Sequence, residues 1–407
     1  MRAISYFQEF IGRDDINIER QKNIDYAKCI SIIFMILIHV FTYPEYILLR
    51  TSTFGRIIDY YMGGFMSAPI FMAAMGFGLA YSKNQDPNKI IIRGIKLFIL
   101  AYIVNLTRTL LILIYIFATQ MGEPESITAI LKLIFEGDIL HFAGLALILF
   151  GLIKKIKYHN FIFPILALAF SIIVTVVGPY RTDSFAMHLT LGLFYPMGYV
   201  TPIIEGELVI KGEIISCFPL LSWFIIVIIG YYFALIVRKV KNLDRFYIWC
   251  IIIGLILAVP MVTCEVVFNF GELSRVGTEV DAYAKMLYDI VFTFGFILFD
   301  FGLFYFLTKL TSDKLNKLVF RTSNAVNDIY WISWFLILNG PCFFVEYLKE
   351  DQIELKLWIY FMIFVVITLL SVIFGILLKE YKTKRKHLKL EEQEIFNKLR
   401  HSNDKEF

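Results

Sequence analysis

Charge is what this chain has least of. Asp, Glu, Lys and Arg make up 18% of its 407 residues against 58% hydrophobic ones, and the mean hydropathy is +0.69. Soluble domains carry about 25% charged and about 45–50% apolar residues, so a water-facing surface over most of the chain is excluded. Cysteine is scarce as a scaffold too. Cys29, Cys217, Cys250, Cys264 and Cys342 fall in or beside apolar runs with no paired spacing, which excludes a disulfide framework and a zinc motif. No metal is expected. The opening MRAISYFQEFIGRDDINIER is too polar for a cleaved signal peptide, so the first apolar run is expected to stay. Neither an internal repeat nor a soluble domain is visible. The net charge of +4 means little until it is divided by loop, and no nucleic-acid partner is expected.

What the chain does have is apolar runs. They define ten spans: 24–43, 57–82, 94–119, 138–153, 160–178, 216–237, 246–268, 286–308, 322–340 and 355–379. The fold class expected is all-α, a polytopic integral membrane bundle of about ten transmembrane helices. Most of the 39 Lys and Arg lie at the two ends and in every second connection. Cytoplasmic loops carry that excess, so both termini are placed in the cytoplasm. Residues 1–23 then form a cytoplasmic segment, 24–380 the membrane domain and 381–407 a charged tail suited to an inner-leaflet surface. The second span reads GGFMSAPIFMAAMGFG; its small residues allow close packing, and Pro69 breaks or kinks it.

The first span carries the chemistry. Lys28 and His39 are eleven residues apart, so they share one helix face, and His39 lies roughly 16 Å beyond Lys28 along the axis. Ionisable groups inside lipid are expensive and tend to mark function. The plainer reading is a histidine that hydrogen-bonds between helices.

Orientation sorts the other polar residues into two groups. Toward the cytoplasm stand Lys28, Arg93 and Lys96; the last two are one turn apart and suited either to phosphate oxygens or to simple membrane anchoring. Toward the outside stand His39, Arg108, Asp138, His141, Glu265 and Asp289. Arg108 is too deep to snorkel easily and needs an anion or carbonyl partner, for which Asp289 or Asp300 on the eighth span are candidates. Asp138 either caps the fourth helix or serves the site.

Several of these motifs resemble known ones. A basic residue, ten positions and a histidine is similar to the Arg-x10-His signature of the acyltransferase-3 family, with Lys28 in place of the arginine. Arg93-x2-Lys96 resembles the Arg-x2-Arg pair those proteins associate with coenzyme A. Arg20-x3-Ile24-Asp25-x2-Lys28, the segment EGDILHFAGLA and the later RTSNAVNDIYWISWF look like bacterial relatives of heparan-α-glucosaminide N-acetyltransferase. The resemblance implies a membrane acetyltransferase that takes its acetyl group from cytoplasmic acetyl-CoA and gives it to an extracytoplasmic glycan or sugar. His39, Asp138 and Arg108 would be catalytic, Lys28, Arg93 and Lys96 would hold the coenzyme, and His141 and Asp289 would face the acceptor. The expected setting is the cell membrane, with lipid as a partner and homo-oligomerisation left open. A transporter or flippase, or a non-catalytic protein of the same fold, remains the alternative.

Overall fold

The structure, a computed structural model, describes residues 10–42, 58–119, 126–182, 184–199, 216–268, 287–343 and 357–403. Pro44, the loop at 120–125, and the side chains of Cys264 and Glu265 lie outside what is described. Over its described residues each of the ten expected spans is largely helical, and the fold is an all-α membrane bundle. Among the described residues, eight helical stretches are long and apolar enough to cross a bilayer. The fourth span is shorter, and the helix that holds the ninth, Asp313–Ile337, also carries Asp313, Lys314, Lys317 and Arg321 ahead of that span and Asp328 within it.

In chain order α1 covers Lys22–Thr42, followed by a π-helical segment, Ile58–Phe65, and α2, Ala68–Ala80. The second span is therefore two pieces, and Pro69 opens the second, where a missing amide does no harm. The third span also divides, into α3, Pro87–Arg108, and α4, Leu110–Thr119. Then come α5, Ser126–Phe135, α6, Ile139–Lys154, and α7, His159–Val177. A small unit joins β1, Tyr180–Thr182, parallel to β2, Met197–Tyr199, around α8, Phe185–Leu191. The remaining helices are α9, Leu220–Lys239, α10, Leu243–Phe268, α11, Leu287–Leu310, and α12, Asp313–Ile337. A π-helical turn at Leu338–Cys342 ends α12, and α13, Leu357–Asn403, closes the chain.

Two features place the site. First, α1 lies inside the bundle, packed by α2, α11, α12 and α13, so its polar face meets protein rather than lipid. Second, α3 and α6 pack closely because glycines meet. A Cβ on Gly94 would sit 2.8 Å from the Gly144 carbonyl oxygen, and one on Gly144 would sit 2.8 Å from Phe98. Backbones this near carry the far end of α3, with Arg108, to the start of α6. The last helix, at about 1.5 Å per residue, outruns a hydrocarbon core of about 30 Å. Its protruding part is tied to α12 by Arg321–Glu380 at 2.7 Å and Lys382–Asp328 at 2.5 Å.

Candidate active site

Arg108 ends α3 with only 2% of its surface exposed. A guanidinium at such a position must be paired, because an isolated buried charge is strongly disfavoured. Its partners come from the segment leading into α6. Nη1 donates to Asp138 Oδ2 at 2.9 Å, and Nη2 donates to Glu136 Oε2 at 2.6 Å. One turn earlier, Asn105 Nδ2 donates to the carbonyls of Ile134 and Glu136 at 3.0 and 2.9 Å. The helix thus grips the backbone and the carboxylates of that segment together. The pairing expected across to Asp300 does not form: Asp300 accepts instead from the Tyr61 hydroxyl at 3.1 Å. Partners one and three residues ahead of a helix start are reached by packing α3 on α6, which sequence spacing alone does not reveal.

Asp138 both caps and connects. Its Oδ1 accepts the Ile139 amide at 2.6 Å, and its Oδ2 accepts from Arg108 and from the Tyr330 hydroxyl of α12. His141 completes a capping box, with Nδ1 accepting the Asp138 amide at 3.1 Å. Its proton therefore sits on Nε2, which is buried without a hydrogen-bond partner among the described residues, and the ring meets Tyr102 and Phe98 edge-on. His141 is closed to solvent and serves the cap. Asp289, the other residue expected to face an acceptor, lies half-buried in the first turn of α11. Glu136 keeps 33% of its side chain accessible; burial pushes its carboxyl above the usual range while Arg108 pulls it down.

Trp334 joins this cluster to the first helix. The Arg108 guanidinium lies 4.7 Å from its ring centre and the His39 imidazole 4.0 Å. His39 is half-buried and makes no hydrogen bond to another described residue, so its ring nitrogens are free there. Asp138 and Arg108 both act on it electrostatically.

At the other end of α1, Asp25 is buried under three donors. Arg20 holds it at 2.8 and 2.6 Å and Ser323 at 2.6 Å, while Arg20 also reaches Asn324 at 3.0 Å. Asp25 is thereby neutralised. Lys28 lies within electrostatic range of Arg20, Asp25 and Arg93, but forms no ion pair among the described residues. Arg93 and Lys96 are exposed and also unpaired there. Lys28 and Arg93 are thus within electrostatic range of one another, and Lys96 lies one turn farther along α3.

Residues 20–250 match the family model described as heparan-alpha-glucosaminide N-acetyltransferase, catalytic, over more than half of the chain. The chain belongs to this family. It is accordingly a multi-pass membrane protein of the transferase class. No curated protein matches it. The matched stretch contains Lys28, His39, Arg93, Lys96, Arg108, Glu136 and Asp138, whereas Tyr330 and Trp334 lie beyond it. These last two and Glu136 fall within segments that the sequence already marked by resemblance, without a role assigned to them, and Asn105 carried no such mark. Tyr330 and Trp334 stand four apart on one helix face, and Glu136 stands two before Asp138. Those were the available signals.

Proposed function

We propose that this protein is an acetyltransferase of the cell membrane that moves an acetyl group from cytoplasmic acetyl-CoA to an amino group on an extracytoplasmic sugar. The observation that carries the reading is His39: an imidazole with free ring nitrogens, set against the Trp334 ring that Arg108 also covers. Lys28, Arg93 and Lys96, cations without a paired anion among the described residues, suit the coenzyme's phosphates. His39 is roughly 16 Å from Lys28 along α1, a gap that a long, flexible pantetheine arm can bridge.

The amine acceptor follows from charge. Two carboxyls, Glu136 and Asp138, face one guanidinium, so the cluster has capacity for a second cation such as an ammonium. Glu136, partly accessible and raised in pKa, is suited to take the first proton from it. The freed nitrogen then attacks the thioester carbonyl carbon while His39 takes the second proton. The tetrahedral oxyanion collapses, the C–S bond breaks, and the coenzyme leaves as a thiolate that the imidazolium protonates. Arg108, already engaged by two carboxylates, holds these groups in place.

The test uses purified protein in liposomes with labelled acetyl-CoA and glucosamine. His39→Ala should still bind the coenzyme but lose transfer by at least about 10²-fold, as general bases do. Transfer at the parental rate would sink the mechanism. Vectorial movement of either compound without acetyl transfer would instead support a transporter.

A further inference from the structure

The third span is broken beside Arg108, and one side chain from elsewhere in the chain fills the break. α3 stops at Arg108, Thr109 leaves helical geometry at φ −101° and ψ 15°, and α4 begins at Leu110. In an unbroken helix the Leu111 amide would donate to the Thr107 carbonyl, four residues back. Here it donates to Asn339 Oδ1 at 2.9 Å. Asn339 Nδ2 in turn donates to the Thr107 carbonyl at 3.2 Å and the Arg108 carbonyl at 2.8 Å. The carboxamide sits in the ladder as an extra peptide group would, one acceptor and one donor edge, both used.

We propose that Asn339 is a positioning residue of the site: by replacing the missing rung, its carboxamide sets the break that aims Arg108 at Glu136 and Asp138. Without it, the Leu111 amide and two carbonyls would be unpaired in a low-dielectric bundle, and the break would lose its fixed geometry. A loosened break would let the end of α3, and with it the guanidinium, move away from the two carboxylates.

The surroundings are arranged for the same task. Asn339 belongs to the π-helical turn after α12, where Gly340 adopts φ −108° and ψ −109° and Pro341 follows. That irregularity offsets the carboxamide from the helix it ends. Two turns earlier, Trp331 Nε1 donates to Thr107 Oγ1 at 2.8 Å. Tyr330 and Trp334 on that helix meet Asp138 and Arg108 directly. One helix and its terminal turn therefore hold the break and both members of the ion pair. Asn339 lies outside the segment that matches the family model.

The role rests on the acetyltransferase reading, but the local geometry can be tested without it. In the full-length protein in detergent, Asn339→Leu should raise deuterium uptake in peptides covering Thr107–Leu113 and leave uptake in α1 and α9 unchanged. Transfer to glucosamine should fall on the order of 10²-fold, as for a misplaced group. The loss should lie in kcat and in the KM for the amine, while thermal stabilisation by coenzyme A stays at the parental value. If Asn339→Leu does not assemble, Asn339→Asp decides, because it keeps the size and the acceptor for Leu111 but removes the donor. Parental uptake and transfer in a folded variant would overturn the proposal. So would collapse of both variants, which would make Asn339 a folding residue, or an equal loss of coenzyme binding. Should the parent protein transfer no acetyl group, the functional reading fails, and the uptake measurement still decides whether Asn339 holds the break.

Discussion

The imidazole of His39 and the indole of Trp334 lie with ring centres 4.0 Å apart and planes inclined by 38°, joining the first helix to one nearly three hundred residues later. The same indole covers Arg108, so the proposed base and the ion-pair cluster share one aromatic support.

Replacing that support should affect both. Trp334→Leu removes a ring contact and a cation–π contact, each worth about 0.5–2 kcal/mol in a desolvated setting. Thermal unfolding in detergent should show a loss of about 1–3 kcal/mol, with a lower kcat and unaltered coenzyme binding. Tryptophan to phenylalanine should recover most of the stability. A Leu variant with parental stability and rate would show that the contact is incidental.

Coenzyme binding should depend on the cationic end. Arg93→Ala with Lys96→Ala, or Lys28→Ala, should each weaken the thermal shift produced by coenzyme A. A charged hydrogen bond is worth about 1.5–3 kcal/mol, and the effect should shrink at high salt, where the Debye length is about 3 Å at 1 M. An unchanged shift would leave these residues as membrane anchors.

Glu136 carries a pH signature. Burial raises its carboxyl in the folded protein, so the folded state holds that proton more tightly than the unfolded chain does. Its contribution to stability is then fully present below the unfolded carboxyl pKa and is lost as pH rises through the raised folded value. Glu136→Gln, which never ionises, should remove that component. The parent should gain stability relative to the variant on acidification through this window, and acetyl transfer should fall in the variant across the pH range. Identical melting curves at all pH values would exclude a shifted Glu136.

Orientation is open to direct labelling. Single cysteines placed at Asn84 and Lys155 should be protected from an impermeant maleimide in intact cells, and one at Arg181 should react. All three backbones are described and lie in connections between helices. The opposite pattern would invert the membrane topology and move the coenzyme end outside.

The helices, and the shared face of Lys28 and His39, followed from the sequence by itself because both rest on local periodicity. The cap at Asp138 was one of two readings the sequence left open, and it needs only its own amide neighbours. The partners of Arg108 did not follow. Asp289 and Asp300 on the eighth span looked eligible, but helical period says which residues share a face and nothing about which helix that face meets. Glycine contacts between α3 and α6 decided it, bringing Glu136 and Asp138 to the guanidinium. The arrival of Tyr330 at Asp138, 192 residues away in sequence, and of Asn339 in the broken third span, 228 from Leu111, was also settled only by packing. Such contacts depend on the summed geometry of the whole bundle, which no local pattern of residues encodes.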